Sequence, residues 1–148
     1  MTEAFKMNLG TDIKGNLENG DIGLNALEWH MSFGAELPCS QAATMLNGPF
    51  GHSPIIVEKS YDNSSPTLLK LLIKNGVIEK GTVTIGNDDG STTKMEIIDA
   101  APVAISIGYD GKMIKEKVDF VVGNVRYSTL VTDNKGNEMK KNDFELYP

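Results

Sequence analysis

The sequence is poor in cysteine, in arginine and in basic residues generally. Cys39 is the single cysteine, so an internal disulfide framework is excluded and a reducing compartment is favoured. Arg126 is the single arginine, and 14 Lys+Arg residues stand against 20 Asp+Glu residues, which gives a net charge of −6. Because nucleic-acid binding needs clustered basic side chains, this composition disfavours a nucleic-acid partner.

Long apolar runs are also missing. No run approaches the roughly 18 residues of a membrane-spanning helix, so we expect no membrane insertion. Residues 1–6 hold no apolar segment typical of a signal peptide, and we expect none to be present. With 148 residues and 40% hydrophobic content, the chain is expected to form one globular domain over residues 1–148.

Residue patterns that carry chemistry are scarce. The run Gly51-His52-Ser53 resembles the start of a nucleophile elbow, but Ile55 stands where that pattern needs glycine. The two histidines, His30 and His52, lack the spacing of metal ligands. No glycine-rich phosphate loop is present. The sequence therefore predicts no catalytic residue, no cofactor and no metal, and it favours a building block or a binding module over an enzyme.

Residues 53–76 predict a strand, a turn and the only helix. Pro54 and the β-branched residues after it predict the strand, and the polar residues 62–64 predict the turn. Ser65 is expected as the N-cap and Pro66 as the first helical residue, which puts the helix at about residues 66–75, with Gly76 ending it. The apolar stripe that we expect to pack on the sheet comprises Leu68, Leu69, Leu71, Leu72 and Ile73.

Two-residue periodicity predicts short strands through most of the remaining chain. A strand is expected over residues 94–98, and a separate one is expected to begin at Pro102. Residues 112–117 form a small basic cluster interrupted by Glu116, which is expected at a solvated strand end. Seven or more short strands and one helix predict a mainly β fold, a compact antiparallel barrel or sandwich with one flanking helix.

Residues 34–52 fit neither a strand nor a helix. This long extended loop is rich in glycine, proline and alanine, and it is too apolar for a simple solvated connection. Two interpretations stay open: the loop folds back over its own barrel, or it docks on another subunit. The residues expected to make the intersubunit contact are Leu37, Pro38, Met45, Leu46 and Phe50.

The centre of the chain resembles the signature of the haemolysin-coregulated protein (Hcp) family, which forms the inner tube of bacterial type VI secretion systems. The residues that carry this resemblance are Ser53, Pro54, Lys59, Asp62, Ser64, Ser65, Pro66 and Leu68. Upstream, Asp12-Ile13-Lys14-Gly15 is similar to the family's early Ile-Lys-Gly element. Downstream, residues 142–145 resemble its acidic-aromatic tail.

The resemblance implies a β-barrel subunit that forms a homohexameric ring. Rings of this family stack into a tube, which a contractile sheath propels with a spike protein at its tip, and effector proteins ride in the lumen. It also implies a location in the bacterial cytoplasm and secretion through the type VI apparatus without a signal peptide.

Three alternatives stay open. The first is a tail-tube protein of a related contractile system, such as a phage tail. The second is a monomeric β-sandwich binding module of the lectin or adhesin kind, which predicts a monomer. The third is a small hydrolase that uses Ser53 and a histidine, which predicts that Ser53→Ala abolishes activity.

Overall fold

A computed structural model describes residues 5–33, 50–132 and 135–147. Its elements, in chain order, are β1 (Phe5–Asn8), β2 (Ile22–Gly23), β3 (Ala26–Glu28), β4 (Met31–Phe33), β5 (Phe50–His52), β6 (Ile55–Ser60), α1 (Ser65–Lys74), β7 (Ile78–Gly86), β8 (Thr92–Tyr109), β9 (Ile114–Val121), β10 (Asn124–Thr132) and β11 (Glu138–Glu145). All strand pairs are antiparallel, which confirms the predicted mainly β fold with one flanking helix. In the part of the chain described here, no helix is long and apolar enough to cross a membrane.

The long strand β8 organises the sheets. Its first half pairs with β7 and β10, and its second half pairs with β9. A first layer therefore runs β2-β1-β7-β8-β10-β11, and a second layer runs β8-β9-β6-β3. The corner between them is marked by Asp99, whose φ is +52°, and by a register shift between Pro102 and Ala104.

The prediction of two strands, over 94–98 and from Pro102, was wrong, because one strand of 18 residues covers both. Proline is tolerated within it because β8 becomes an edge strand at that point, where a missing N–H costs little. The aspartate at the corner supplies the left-handed backbone that a sharp bend needs, a conformation that Asp and Asn adopt more readily than other non-glycine residues.

The sheet is not closed by continuous strand pairing, but one segment bridges its two ends. The Leu24 N–H donates to the Phe5 carbonyl at 3.0 Å, and the next N–H, of Asn25, donates to the Glu58 carbonyl at 2.8 Å. These two bonds join β1 in the first layer to β6 in the second. The fold is thus a nearly closed barrel from which the β10–β11 pair extends.

The interior is one apolar cluster between the two layers. Alternate residues of β6 and β9 face inward, so that Val57 and Val118 lie opposite each other and fully buried, with Phe120 beside them. The first layer contributes Met7, Val83 and Ile97. Burying a side chain of this size stabilises the fold by about 1.5–3 kcal/mol, so this cluster is the main source of stability.

The helix lies one residue earlier than predicted. Ser64, not Ser65, holds the N-cap position, and Pro66 is the second helical residue. At the other end Asn75, not Gly76, takes the left-handed conformation, with φ +53°, and the Gly76 N–H donates to the Leu71 carbonyl at 2.8 Å. Asparagine ends the helix because its short amide tolerates positive φ.

The predicted apolar stripe of α1 is too wide. Leu68 is 1% exposed and Leu71 packs against the core, whereas Ile73 is 79% exposed. Because an α-helix turns about 100° per residue, Ile73 lies about 140° around the axis from Leu68. The helix therefore buries a narrow face and leaves part of the stripe in solvent.

Candidate functional site

A cluster of charged side chains lies between the second layer and the start of α1. The Lys59 side chain is fully buried, and its Nζ lies 2.6 Å from Glu116 Oε1 and 3.1 Å from Asp62 Oδ1. Glu116 is 3% exposed and Asp62 is 9% exposed. Charges withdrawn from water to this extent must be paired, because an uncompensated buried charge costs several kcal/mol.

Two serines of the helix start complete this ion network. Ser65 Oγ accepts from Lys59 Nζ at 2.8 Å and donates to Glu116 Oε1 at 2.6 Å. The same oxygen accepts from the Asp62 N–H at 3.0 Å. Both the N–H and the hydroxyl of Ser64 donate to Asp62 Oδ1. The network therefore fastens the first turn of α1 to β6 and β9.

Gly15, in the N-terminal part of the chain, packs closely against the ion network. A Cβ at this position would lie 2.5 Å from the Asp21 carbonyl oxygen and 2.8 Å from Asp62 Oδ2. Backbone and a buried carboxylate cannot move aside, so only glycine fits. Next to it, Asn16 Oδ1 accepts from the Asn63 N–H at 2.9 Å. The Ile-Lys-Gly element thus meets the part of the central signature around Asp62, and the bonded Asn16 and Asn63 are 47 residues apart in the sequence.

The structure brings together most of the signature residues but not all. Lys59, Asp62, Ser64 and Ser65 form the ion network, and Pro66 and Leu68 follow in the helix that it anchors. Ser53 and Pro54 lie apart from it, before β6. There the Ser53 hydroxyl accepts from the His30 N–H at 3.0 Å and donates to the Pro54 carbonyl at 2.9 Å.

The sequence pattern did not predict that Glu116 belongs to the ion network. It was expected at a solvated strand end, but it is buried and directly opposite Lys59 in the β6–β9 register. The sequence did hold a signal, because Glu116 is in phase with Val118 and Phe120 along β9. Two-residue periodicity places all three on one face, but the adjacent Lys115 and Lys117 make this segment resemble a solvated basic cluster.

The ion network is suited to a structural role, that of stabilising the fold. Lys59 bonds to both Asp62 and Glu116, and each of the three side chains is at most 9% exposed, so their charges are used in pairing with one another. Across the described ranges 5–33, 50–132 and 135–147, no group of three or more His, Cys, Asp or Glu side chains could hold a metal ion. The hydroxyl of Ser53 is engaged with backbone groups, as described above.

One exposed carboxyl group has a shifted pKa. At the turn between β8 and β9, Asp110 Oδ1 accepts from the N–H groups of Met113 at 3.0 Å and Lys112 at 2.9 Å. These bonds, that of Met113 most of all, lower the pKa of Asp110 from its ordinary value of 3.8. The carboxylate thereby fixes the tip of the hairpin.

The second layer has an open edge at β8. Residues 101–109 pair with β9 on one side, and no strand in the described part of the chain pairs with their other side. This stretch contains no charged residue. Three of its large apolar side chains are exposed: Val103 by 49%, Ile107 by 57% and Tyr109 by 71%.

The outer edge of the first layer is different. There β11 carries five charged residues among its eight. Charges on an edge strand oppose pairing with another chain, whereas an uncharged apolar edge invites it. Of these two edges, only that of β8 has the chemistry of a docking strand.

The predicted intersubunit residues Leu37, Pro38, Met45 and Leu46 lie outside the described residues. Phe50 belongs to β5, and its backbone pairs with that of Phe33 in β4. The two ends of the predicted loop therefore lie side by side.

Structural comparison defines the class of protein to which this fold belongs. The solved structure of a type six secretion system protein matches this fold with a TM-score of 0.78 at 16% identity, over 95% of this chain and 93% of that one. A type VI secretion system effector from Yersinia pestis matches with a TM-score of 0.72 at 11% identity, over 96% and 99%. Hcp1 from E. coli EAEC 042 matches with a TM-score of 0.70 at 16% identity, over 93% and 97%. At these identities the likeness establishes the fold: that of type VI secretion Hcp structures.

The sequence itself matches the family described as "Type VI secretion system effector, Hcp" over residues 7–119. The chain therefore belongs to the Hcp family, whose members are type VI secretion tube proteins and not enzymes. Comparison with curated protein sequences gave no match.

Proposed function

We propose that residues 1–148 act as one tube domain, the structural subunit of a type VI secretion inner tube, and that copies assemble as hexameric rings. Membership of the Hcp family supports the tube role. The open edge of β8 supports assembly, since it is uncharged and carries exposed Val103, Ile107 and Tyr109. An edge of this kind left in water is an aggregation hazard, so a partner strand is needed to cover it.

A second copy is the natural partner, because the second layer is open at both sides. Its other edge is β3, which pairs with β6 and, among the residues that the structure describes, with no other strand. When β8 of one copy meets β3 of the next, each copy donates one edge and receives another. Such a head-to-tail contact closes into a ring when the rotation per copy divides a full turn. A hexamer corresponds to a rotation of about 60°.

The charges near the two edges are complementary. On the solvent face of the second layer, Glu28 of β3 and Glu58 of β6 stand near one edge. Lys115 and Lys117 of β9 stand one strand in from the other edge. Glu58 already lies opposite Lys117 in the β6–β9 register of its own subunit, so Glu28, on the edge strand itself, is the charge that pairing of β8 with β3 brings towards the lysines of a neighbour.

The loop over residues 34–52 is proposed to add a second intersubunit contact. Its expected contact residues are Leu37, Pro38, Met45, Leu46 and Phe50. Apolar side chains of this number mark an interaction site when they are not buried in their own subunit. Replacing Leu46 and Phe50 with serine is expected to preserve the β-rich circular dichroism spectrum and to weaken ring assembly. Loss of monomer stability with normal assembly would show that the loop covers its own barrel.

We extend the proposal to the wider system that membership of the Hcp family implies. Stacked rings form a tube that a contractile sheath expels with a spike protein at its tip, and effector proteins travel in the lumen. The subunit is made in the bacterial cytoplasm and leaves through the apparatus without a signal peptide.

Electron microscopy of the purified protein tests the ring directly. The expected class averages are annular particles with six-fold symmetry, and compact single subunits at every concentration would contradict the proposal. Deleting the sheath gene in the host is expected to stop export of the protein into the medium. Export that continues through a phage-like contractile particle would favour the tail-tube alternative instead.

A further inference from the structure

The pairing of β6 with β9 is not set by a turn. These two strands lie far apart in the sequence, since the paired Lys59 and Glu116 are 57 residues apart. By contrast, β8 and β9 are joined by a short turn, which the Asp110 carboxylate holds in one shape. In a hairpin the turn fixes the register, whereas the register of distant strands depends on their side chains. The side chains of β6 and β9 must therefore decide how these strands align.

The apolar pattern of the two strands excludes only some of the wrong alignments. The inward-facing pairs of the observed register are Ile55 with Phe120, Val57 with Val118, and Lys59 with Glu116. A slip by one residue would turn Lys115 and Lys117 towards the core, which the pattern forbids. A slip by two residues keeps every side chain on its own face. The apolar pattern therefore excludes the first kind of slip but not the second.

The buried charges exclude a slip by two residues. Such a slip would place Lys59 opposite Val118 in one direction and opposite Ile114 in the other. It would also carry Glu116 about 7 Å along the strand, away from its 2.6 Å contacts with Lys59 and Ser65. Breaking a buried ion pair lowers the population of the slipped alignment by about a hundredfold or more. Without the two charges, the inward faces of both strands would be apolar throughout.

The ion network ties the start of α1 to the same alignment. Ser65 Oγ binds Glu116 Oε1 and also accepts from the Asp62 N–H at 3.0 Å. Asp62 Oδ1 in turn lies 3.1 Å from Lys59 Nζ. Because these bonds share atoms, one strand alignment and one position of the first helical turn satisfy all of them together. Replacing a buried ion network with apolar residues is often neutral or stabilising, so such a network can serve to specify a structure without adding stability.

We infer that Lys59, Asp62 and Glu116 are positioning residues that select one alignment of β6 with β9, and through it the stagger of the two edges that bind ring neighbours. The edge strand β3 pairs with β6, and the open edge belongs to β8, which pairs with β9. A slip by two residues would move one edge past the other by about 7 Å. A head-to-tail contact closes into a ring only at a defined geometry. The step from alignment to assembly rests on the proposed function, whereas the alignment itself does not.

Cross-strand disulfides report the alignment directly. Every variant carries Cys39→Ser, so that two introduced thiols are the only ones present. Glu58→Cys with Lys117→Cys reports the observed register, in which these residues are opposite. Glu58→Cys with Asp119→Cys, or with Lys115→Cys, reports a slip by two residues in either direction. A disulfide needs a Cα separation of about 4.4–6.8 Å, whereas diagonal neighbours are about 7–8 Å apart, so each pair responds to one alignment.

The ion network is then replaced as a unit by uncharged side chains of similar size, with Lys59→Met, Asp62→Asn and Glu116→Val. This triple variant is expected to keep a β-rich circular dichroism spectrum, and its slipped pairs are expected to cross-link about tenfold more, or better, than in the native network. Val118→Ala is the matched control, because it removes packing from the same face of β9 without removing a charge. It is expected to lower stability and to cross-link only in the observed register. Light scattering of the triple variant without new thiols is expected to show a smaller fraction of rings.

The outcomes separate this inference from the proposed function. Slipped cross-links that form in the triple variant, but not with the native network or in Val118→Ala, support the inference. A triple variant that cross-links only in the observed register overturns it, and so does one that no longer folds, because the network would then be needed for stability itself. Slipped cross-links with normal ring formation overturn the step from alignment to assembly. Native protein that forms no rings contradicts the proposed function and leaves the cross-linking result as the test of alignment.

Discussion

Replacing Lys59 with methionine removes the only cation of the buried network. Methionine matches the lysine stem in length but carries no charge, so Glu116 and Asp62 remain buried without the ammonium that lies 2.6 Å and 3.1 Å from them. Breaking a buried ion pair by removing one partner costs about 3–5 kcal/mol. For a chain of 148 residues, this corresponds to a fall in melting temperature of about 6–20 °C.

The measurement is urea unfolding followed by circular dichroism, at several protein concentrations so that any contribution of assembly is visible. Lys80→Met is the matched control. Lys80 Nζ also faces a glutamate, 3.5 Å from Glu96 Oε2, but its side chain is 60% exposed. An exposed pair of this kind contributes less than about 1 kcal/mol. Equal losses from the two substitutions would show that burial does not make the Lys59 ion pair more stabilising than an exposed one.

A second substitution tests the cause of the loss. Lys59→Met combined with Glu116→Gln removes one of the two stranded carboxylates, so the double variant is expected to be more stable than Lys59→Met alone. Coupling between contacting residues is typically about 0.5–3 kcal/mol. A double variant less stable than the single one would show that lost packing, not a stranded charge, dominates.

Three further predictions follow from the fold. Leu68→Ala is expected to lower the free energy of unfolding by about 2–5 kcal/mol, because the leucine side chain is 1% exposed. Ile73→Ala is expected to change it by less than about 0.5 kcal/mol, because the isoleucine side chain is 79% exposed. Similar values for the two variants in urea unfolding would contradict the assignment of the buried helix face. Gly15→Ala is expected to cost about 1–3 kcal/mol or more, because its Cβ would meet the Asp21 carbonyl at 2.5 Å, and an unchanged melting temperature would contradict this. The pKa of Asp110 is lower in the folded state, so its stabilising effect is present above the ordinary value of 3.8 and is lost as the pH falls through the folded value. Asp110→Ala is therefore expected to lose part of the acid-induced fall in melting temperature, and a curve parallel to that of the native protein would count against it.

The sequence was sufficient to predict the fold class and the helix. Periodicity and turn residues indicate an antiparallel β domain, and the Ser-Pro start locates α1 to within one residue. The exact caps could not be predicted, because Ser64 and Ser65 are both good capping residues. What decided between them is the tertiary contact of the Ser65 hydroxyl with Lys59 and Glu116.

The remaining features depend on contacts between distant segments. Lys59 and Glu116 are 57 residues apart, so no local pattern joins them. At the corner of β8 the sequence indicates a boundary between two strands, because a proline such as Pro102 usually marks a strand end. The open edge of β8 could not be predicted from the sequence either. An uncharged strand is typical of the interior of a sheet, and only the order of the strands shows that one side of this strand has no partner among the described residues.

The most direct test of ring assembly through the β8 edge is the mass of the assembled particle, measured by light scattering over a wide concentration range, for the native chain and two edge variants. Ile107→Lys puts a charge on the apolar edge of β8, and Met139→Lys puts the same charge on the already charged edge of β11, where the methionine is 53% exposed. We expect a ring mass for the native protein and for Met139→Lys, and the mass of a single subunit for Ile107→Lys. A native protein that stays monomeric, or an Ile107→Lys variant that assembles as well as Met139→Lys does, would contradict it.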